Sequence, residues 1–267
     1  MSEGFAEYLA GTGLARNTVA AYLTAVRQFR EGFGEPTNRN LRAWKAWLIE
    51  QYAPRTVNLR LRAINCWLES LGRSGDKLAF VRVQQKPFLE HVISDADYSY
   101  LKSCLLRDGD RFWYFAVRFM AATGARVSEL TQIKGEHVAR GYLDLYAKGG
   151  KLRRIWFPRA LREEALSWLR ETGRESGFIF VNQRGDRITA RGIAGHLKIL
   201  AGRYGIDPAV MYPHSFRHRF AKSFLEKCSD IALLADLMGH ESIETTRIYL
   251  RRTATEQRTL IDSVVDW

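Results

Sequence analysis

Long apolar runs are missing from this chain; none approaches the ~20 consecutive residues of a membrane span. The opening residues, MSEGFAEYLAGTG, carry early acids and no basic segment followed by an apolar one, so no secretory leader is expected there. Both features point to the cytoplasm and away from a membrane. Cysteine is scarce. Cys66, Cys104 and Cys228 are odd in number, far apart and set among apolar residues, which fits buried free thiols and not a disulfide frame or a zinc site. There is no GxxxxGK[ST] phosphate loop and no cluster of carboxylates suited to a pair of metal ions. No metal and no other cofactor is expected. Acids are outnumbered, 29 against 41 Lys and Arg, for a formal charge of +12. A surplus of that size favours a polyanion, nucleic acid first, although a basic protein with no such partner has the same composition.

What is present divides in two. The 267 residues are too many for one minimal domain, and 46% are hydrophobic, enough for ordinary cores. The first 71 residues read only as helices. Val19, Tyr22, Leu23, Val26 and Phe29 keep helical spacing, as do Leu41, Trp44, Trp47, Leu48 and Tyr52, and then Val57, Leu61, Ile64 and Leu68. Arg55, Arg60 and Arg62 ride on the last of these. The period fades after Gly72, and Gly75 and Pro87 mark an extended stretch. We therefore expect a helical domain over 1–80, a linker over 81–93 and a second domain over 94–267. The second domain opens on a capping signal at Ser94 and an aromatic-rich helix, RFWYFAVRFMAATG, closed by Gly124. YLDLYAKGGKLRRIWFP reads as two strands around a Lys-Gly-Gly-Lys turn, GFIFVN as another short strand, and the rest as helix. The expected class is mainly α with a small antiparallel sheet.

Four segments could carry chemistry. In PHSFRH, His214 and Arg217 are three apart and share a helix face, while Phe216, Phe220 and Phe224 form a separate apolar stripe. An imidazole beside a guanidinium suits a phosphate oxygen; a surface pair with no role has the same spacing. In LMGHESIETTRIYL, Gly239 is a natural helix end, His240 follows it, and a short second helix carries Thr245, Thr246 and Tyr249. That pattern also fits a helix-turn-helix reader, or a tyrosine that merely packs. In TGARVSEL, Glu129 lies three residues after Arg126 and can fix its fork, or form an ordinary ion pair. In AKGGKLRR, Lys148 and Lys151 flank flexible glycines and can reach into a groove, or simply solubilise a turn.

Taken together and in order, ARVSEL, AKGGK, HSFRH and LMGHESIETTRIY resemble the tyrosine recombinase (phage integrase) family, in its short Xer-like or transposon-integrase form. Phe216 stands where the family more often has Leu. The resemblance implies a core-binding (SAM-like) helical domain and an α-rich catalytic domain closing as a C-shaped clamp on duplex DNA. It implies Tyr249 as nucleophile, Arg126 and Arg217 on the scissile phosphate, and His214 and His240 supplying hydrogen bonds, with His214 also assisting proton transfer. Lys148 would be the general acid and Glu129 a supporting residue. Site-specific recombination would then proceed through a 3′-phosphotyrosyl intermediate, without metal or ATP. The expected DNA contacts are Arg55, Arg60, Arg62, Lys86, Lys151, Arg153 and Arg154. The expected partners are double-stranded DNA with inverted-repeat core sites and further copies of the chain, in a homotetramer joined by exchange of the apolar C-terminal tail. A type IB topoisomerase shares the chemistry, and an inert DNA-binding regulator would share the fold; the small helical domain, the tail and the intact residue set argue against both.

Overall fold

The computed structural model describes residues 2–83, 91–146, 152–240, 242–250 and 261–265. The chain forms two compact units, Met1–Gln85 and Lys86–Trp267.

The first unit is four helices: α1 (Ser2–Gly11), α2 (Arg16–Phe33), α3 (Asn38–Gln51) and α4 (Pro54–Ser70). Their apolar stripes meet on Phe29, which makes edge-to-face contacts with Trp44 and Trp67 at ring separations of 5.6 and 5.9 Å. Thr37 caps α3 by accepting the Asn40 N–H, and Pro54 opens α4, where its missing N–H costs nothing. Part of the expected linker belongs to this unit. Asn58 and Asn65, two turns apart on α4, each hold an extended strap by a pair of bonds. The Asn65 amide donates to Leu78 O and accepts from Leu78 N–H, and Asn58 does the same with Val81, all at 2.8–2.9 Å. The strap therefore satisfies its backbone on a helix side chain and not in water. The other described end of the predicted linker is docked too: Ile93 is buried and its N–H donates to Ser215 Oγ at 2.8 Å within the second unit.

The second unit runs α5 (Asp95–Arg107), α6 (Arg111–Thr123), α7 (Val127–Leu130), α8 (Gly135–Arg140), β1 (Tyr142–Tyr146), β2 (Leu152–Trp156), α9 (Arg159–Glu171), α10 (Ala190–Tyr204), α11 (Pro213–Lys227), α12 (Ile231–Met238) and α13 (Ile243–Thr246). A 3₁₀ turn, Arg247–Leu250, follows. The aromatic-rich helix is α6, and it lies in the core as expected: Phe115, Val117, Phe119 and Met120 are buried among residues of α5, α9, α10 and α11. The strands pair antiparallel, with Leu143 opposite Ile155 and Leu145 opposite Arg153. GFIFVN is not a strand. It makes only isolated bridges, Lys134 to Phe178 and Val181 to Arg187, because its backbone turns to a different partner at each step. The Ile179 N–H goes to Ile133 O, and Phe180 O accepts from Ile188. The thiols are free, but Cys228 is exposed at the end of α11, whereas Cys104 is buried and Cys66 half-buried. Among the described residues no helix is long and apolar enough to cross a membrane.

Candidate active site

The site is built around the C-terminal end of α12. A helix end leaves its last carbonyls without intrahelical partners and carries partial negative charge. Here three successive carbonyls are taken by three arginines arriving from different elements. Arg153 on β2 donates to Leu237 O through Nη2 (3.0 Å), Arg217 on α11 to Met238 O through Nη2 (2.7 Å), and Arg126 at the start of α7 to Gly239 O through Nη2 (2.9 Å).

Glycines make the approach possible. Gly239 has φ +60°, and a Cβ there would lie 2.3 Å from Arg153 Cδ. Gly124, which ends α6 at φ +61°, would place a Cβ 2.4 Å from the Phe220 ring. Its carbonyl accepts the second arm of Arg217, from Nη1 at 2.5 Å.

One carboxylate serves two of the guanidiniums. Glu129 accepts the Arg126 backbone N–H at 2.6 Å and its Nη1 at 2.9 Å, and it also accepts Arg153 Nη1. Burial opposes its charge, yet Arg153, the Arg126 N–H and both side-chain bonds together hold its pKa below the usual carboxylate value. Three guanidiniums against one carboxylate leave the site positive. Burial, and then Arg126 and Arg153, lower the Arg217 pKa to about 10, so it stays charged at neutral pH.

His240 follows the α12 cap. Its Nε2 faces Arg217 Nη2 at 3.0 Å and its Nδ1 faces Thr246 Oγ1 at 2.8 Å. A guanidinium can only donate, so Nε2 accepts and Nδ1–H donates to Thr246. Burial and the neighbouring arginines depress its pKa to about 4, consistent with that neutral ring. Tyr249 is 8% exposed and packs with Ala221, Leu234 and Met238. Its ring lies parallel to the His240 ring at 6.5 Å, and its hydroxyl is 2.9 Å from His218 Nδ1. Burial pushes the phenol up to about 12, against a partial offset from Arg217. His214 stands one turn before His218 with its side chain exposed, and its pKa is lowered by partial desolvation and then by Arg217 and Arg126.

Thus Arg126, Arg217, His240, Tyr249 and Glu129 come together, and His214 lies close enough to feel both arginines. Lys148, Lys151 and Lys86 lie outside the described residues. Arg153, expected on DNA, is instead inside the site at 8% exposure. The reason is strand register: Arg153 shares the inward face with Ile155, and Arg154 points the other way. Arg154 forms a fork-to-fork pair with Asp144 (2.7 and 2.8 Å) and covers the Tyr142 ring. On α4, Arg55 and Arg62 are exposed, while the half-buried Arg60 lies flat over Tyr52 at 4.1 Å. Sequence reasoning missed His218, and it named Thr246 without giving it a role. The signal for His218 was available, since it follows His214 by one helical turn. Among the described residues no group of His, Cys, Asp and Glu could hold a metal ion; the donors here are guanidinium and imidazole N–H groups, suited to an anion.

A tyrosine in a cationic, donor-rich pocket is a constellation found in known proteins. The pattern of the phage integrase family matches residues 104–256, which include every described residue of the pocket. The chain is similar to the tyrosine recombinase XerA of Pyrococcus furiosus, at 30% identity over 97% of this chain and 92% of that one. In fold it is similar to the Tn1549 transposon integrase in complex with transposon right end DNA (TM-score 0.73, 16% identity, 98% of both chains covered). The same holds for a lambda integrase tetramer bound to a Holliday junction (TM-score 0.71, 16% identity, 94% of this chain and 77% of that one). The chain belongs to the phage integrase family, the tyrosine recombinases, enzymes that break and rejoin DNA in site-specific recombination.

Proposed function

We propose that Tyr249 attacks a phosphodiester of duplex DNA, forming a 3′-phosphotyrosyl bond and releasing a 5′-hydroxyl, and that reversal on a second strand completes recombination. The observation that supports this most is the buried tyrosine in a pocket where three guanidiniums meet one helix end, two of them sharing one carboxylate. Arg126 is the first contact for the phosphate: its side chain is 38% exposed, and a guanidinium has more N–H groups than its two partners use. Arg217 follows when the phosphate replaces His240 on Nη2; with the Thr246 hydroxyl then donating to Nδ1, His240 takes the other tautomer and donates from Nε2. Fixed positive dipoles of this kind stabilise the charge that builds on phosphorus oxygens without any reorganisation at the moment of reaction. His214 adds a further donor at the same pocket. Lys148, in the connection between β1 and β2, is assigned the proton for the leaving 5′ oxygen. The bond energy is conserved in the covalent link, so rejoining needs no ATP.

DNA is held by Arg55 and Arg62 on the exposed side of α4, together with Lys86 and Lys151. These contacts set affinity more than sequence preference. Sites arranged as inverted repeats would seat copies of the chain, four in the active complex. Ile261, Val264 and Val265 in the tail are exposed in the single chain, as a segment that docks on a neighbouring copy would be. The fold shared with the lambda integrase tetramer is compatible with that assembly.

The test is covalent trapping. Supercoiled plasmid carrying the DNA that flanks this gene is mixed with wild type or Tyr249→Phe and then denatured. The expected result is protein attached to a DNA 3′ end with wild type alone. An adduct formed by Tyr249→Phe, or none formed by wild type on DNA that it binds, rejects Tyr249 as the nucleophile.

A further inference from the structure

The proposed attack requires the phenol to lose its proton, and a group must take it. The arginines around Tyr249 are permanent donors and cannot. Glu129 is occupied by Arg126 and Arg153. His240 has its acceptor nitrogen turned to Arg217 and its N–H to Thr246. His214, for which the family resemblance implies help with proton transfer, makes no described hydrogen bond to the Tyr249 hydroxyl, and His218 is placed differently. It sits within α11, a fifteen-residue helix that also carries His214 and Arg217, and its Nδ1 is 2.9 Å from the Tyr249 hydroxyl. The groups that face it are His214 and Arg217 from its own helix, Tyr249 from the 3₁₀ turn, and His240 from beyond α12. Burial, His214 and Arg217 lower its pKa to about 4, which leaves the ring neutral with one bare nitrogen. The phenol, held protonated by burial, is the donor and Nδ1 the acceptor.

We propose that His218 is a catalytic residue whose Nδ1 aims the Tyr249 hydroxyl and takes its proton as the phenol oxygen bonds to phosphorus. This rests on the reading of Tyr249 as nucleophile. In the forward step the Tyr249 oxygen–phosphorus bond forms and the bond from phosphorus to the 5′ oxygen breaks. The phenolic proton passes to His218, and the departing oxygen keeps the electron pair and is protonated by Lys148. In the reverse step a 5′-hydroxyl attacks and gives its proton to Lys148. The phenol leaves phosphorus with its electron pair, and His218 returns the proton. The entering phosphodiester brings negative charge next to Arg217 and so raises the basicity of His218 when it is needed.

The test measures single-turnover adduct formation on a duplex bearing the site mapped by wild-type trapping. The scissile linkage is either natural or a 5′-bridging phosphorothiolate, whose sulfur leaves without an acid. His218→Asn is the informative variant, because its carboxamide oxygen can accept at the Nδ1 position but cannot take the proton. With duplex binding unchanged, it should react on the order of a hundredfold slower than wild type on both substrates. Its rate should also keep rising with pH where that of wild type levels off. Lys148→Ala, by contrast, should be restored by the sulfur. His218→Asn within threefold of wild type on natural DNA, or restored by sulfur, overturns the assignment while leaving Tyr249 in place. An adduct with Tyr249→Phe removes the nucleophile and this proposal with it. A substrate-free arm stands beside these: in ¹⁵N-histidine spectra, the His218 Nδ1 resonance should move on Tyr249→Phe, and an unmoved resonance would deny the hydrogen bond.

Discussion

The two units use arginine in opposite ways. On α4, Arg55 and Arg62 are exposed, and neither makes an ion pair among the described residues. Around the end of α12, Arg153 and Arg217 are buried at 8% and 3% exposure, and each ties together elements distant in sequence. The same side chain is a solvent-exposed charge in one place and a structural strut in the other. The difference is made by the backbone. Three carbonyls at a helix end supply fixed acceptors, and one carboxylate supplies the countercharge. A guanidinium held that way keeps its remaining donors aimed, which is the preorganisation that a phosphoryl transition state needs.

Removing the shared carboxylate should break this contrast most severely. Glu129→Ala leaves Arg153 buried without its countercharge, and the usual cost of such a loss is roughly 3–5 kcal/mol. Urea denaturation should show it as a lower midpoint with an unchanged slope, and a loss below about 1 kcal/mol would refute the strut. The pH dependence has a definite sign. The folded pKa of Glu129 lies below its ordinary value of 4.5, so its contribution is fully present above that value and fades as pH falls through the folded one. The stability gap between wild type and Glu129→Ala should therefore narrow in acid.

Next in size is Arg217→Lys. Lysine keeps the charge but loses the fork that spans Gly124 O and Met238 O. Adduct formation should slow by about 10²–10³, the scale for one lost transition-state donor, while duplex affinity is retained. A rate within threefold of wild type would show that charge alone suffices. Gly239→Ala should come third. It forces a Cβ both into the left-handed region and against Arg153, and such strain costs roughly 1–3 kcal/mol. Arg153→Ala in the same background should recover part of that loss, because the clash is then gone; no recovery would place the cost in the backbone alone.

Much of this was legible in sequence because the features were local. The apolar periods of α2, α3 and α4, the Gly239 stop and the pairing of Arg126 with Glu129 all lie within a few residues. What failed was whatever depended on a partner far along the chain. The strap at 77–83 reads as a linker because nothing near it shows that Asn58 and Asn65 will hold it. Arg153 reads as a surface charge because its partners, Glu129 and Leu237, are remote, although its position on the same strand face as Ile155 did carry the information. GFIFVN has strand composition, yet no neighbouring strand runs beside it for more than one bridge.

The smallest effect should come from the exposed arginines, and it sharpens the comparison from the other side. Arg55→Ala and Arg62→Ala remove no described ion pair, so the unfolding midpoint should not move. Arg62 does lie 5.6 Å over the Phe80 ring, a contact that an alanine gives up at little cost in water. What should change is the salt dependence of duplex binding. Each phosphate contact releases counterions from the duplex, so each substitution should reduce the slope of log K against log salt by about 0.9. The adduct rate at saturating protein should stay at the wild-type value, because the residues assigned to the chemical step all belong to the other unit. A variant of this pair that lowered the saturated rate while leaving the salt slope intact would mean that the α4 arginines act in the chemical step, and the division of labour between the two units would have to be redrawn.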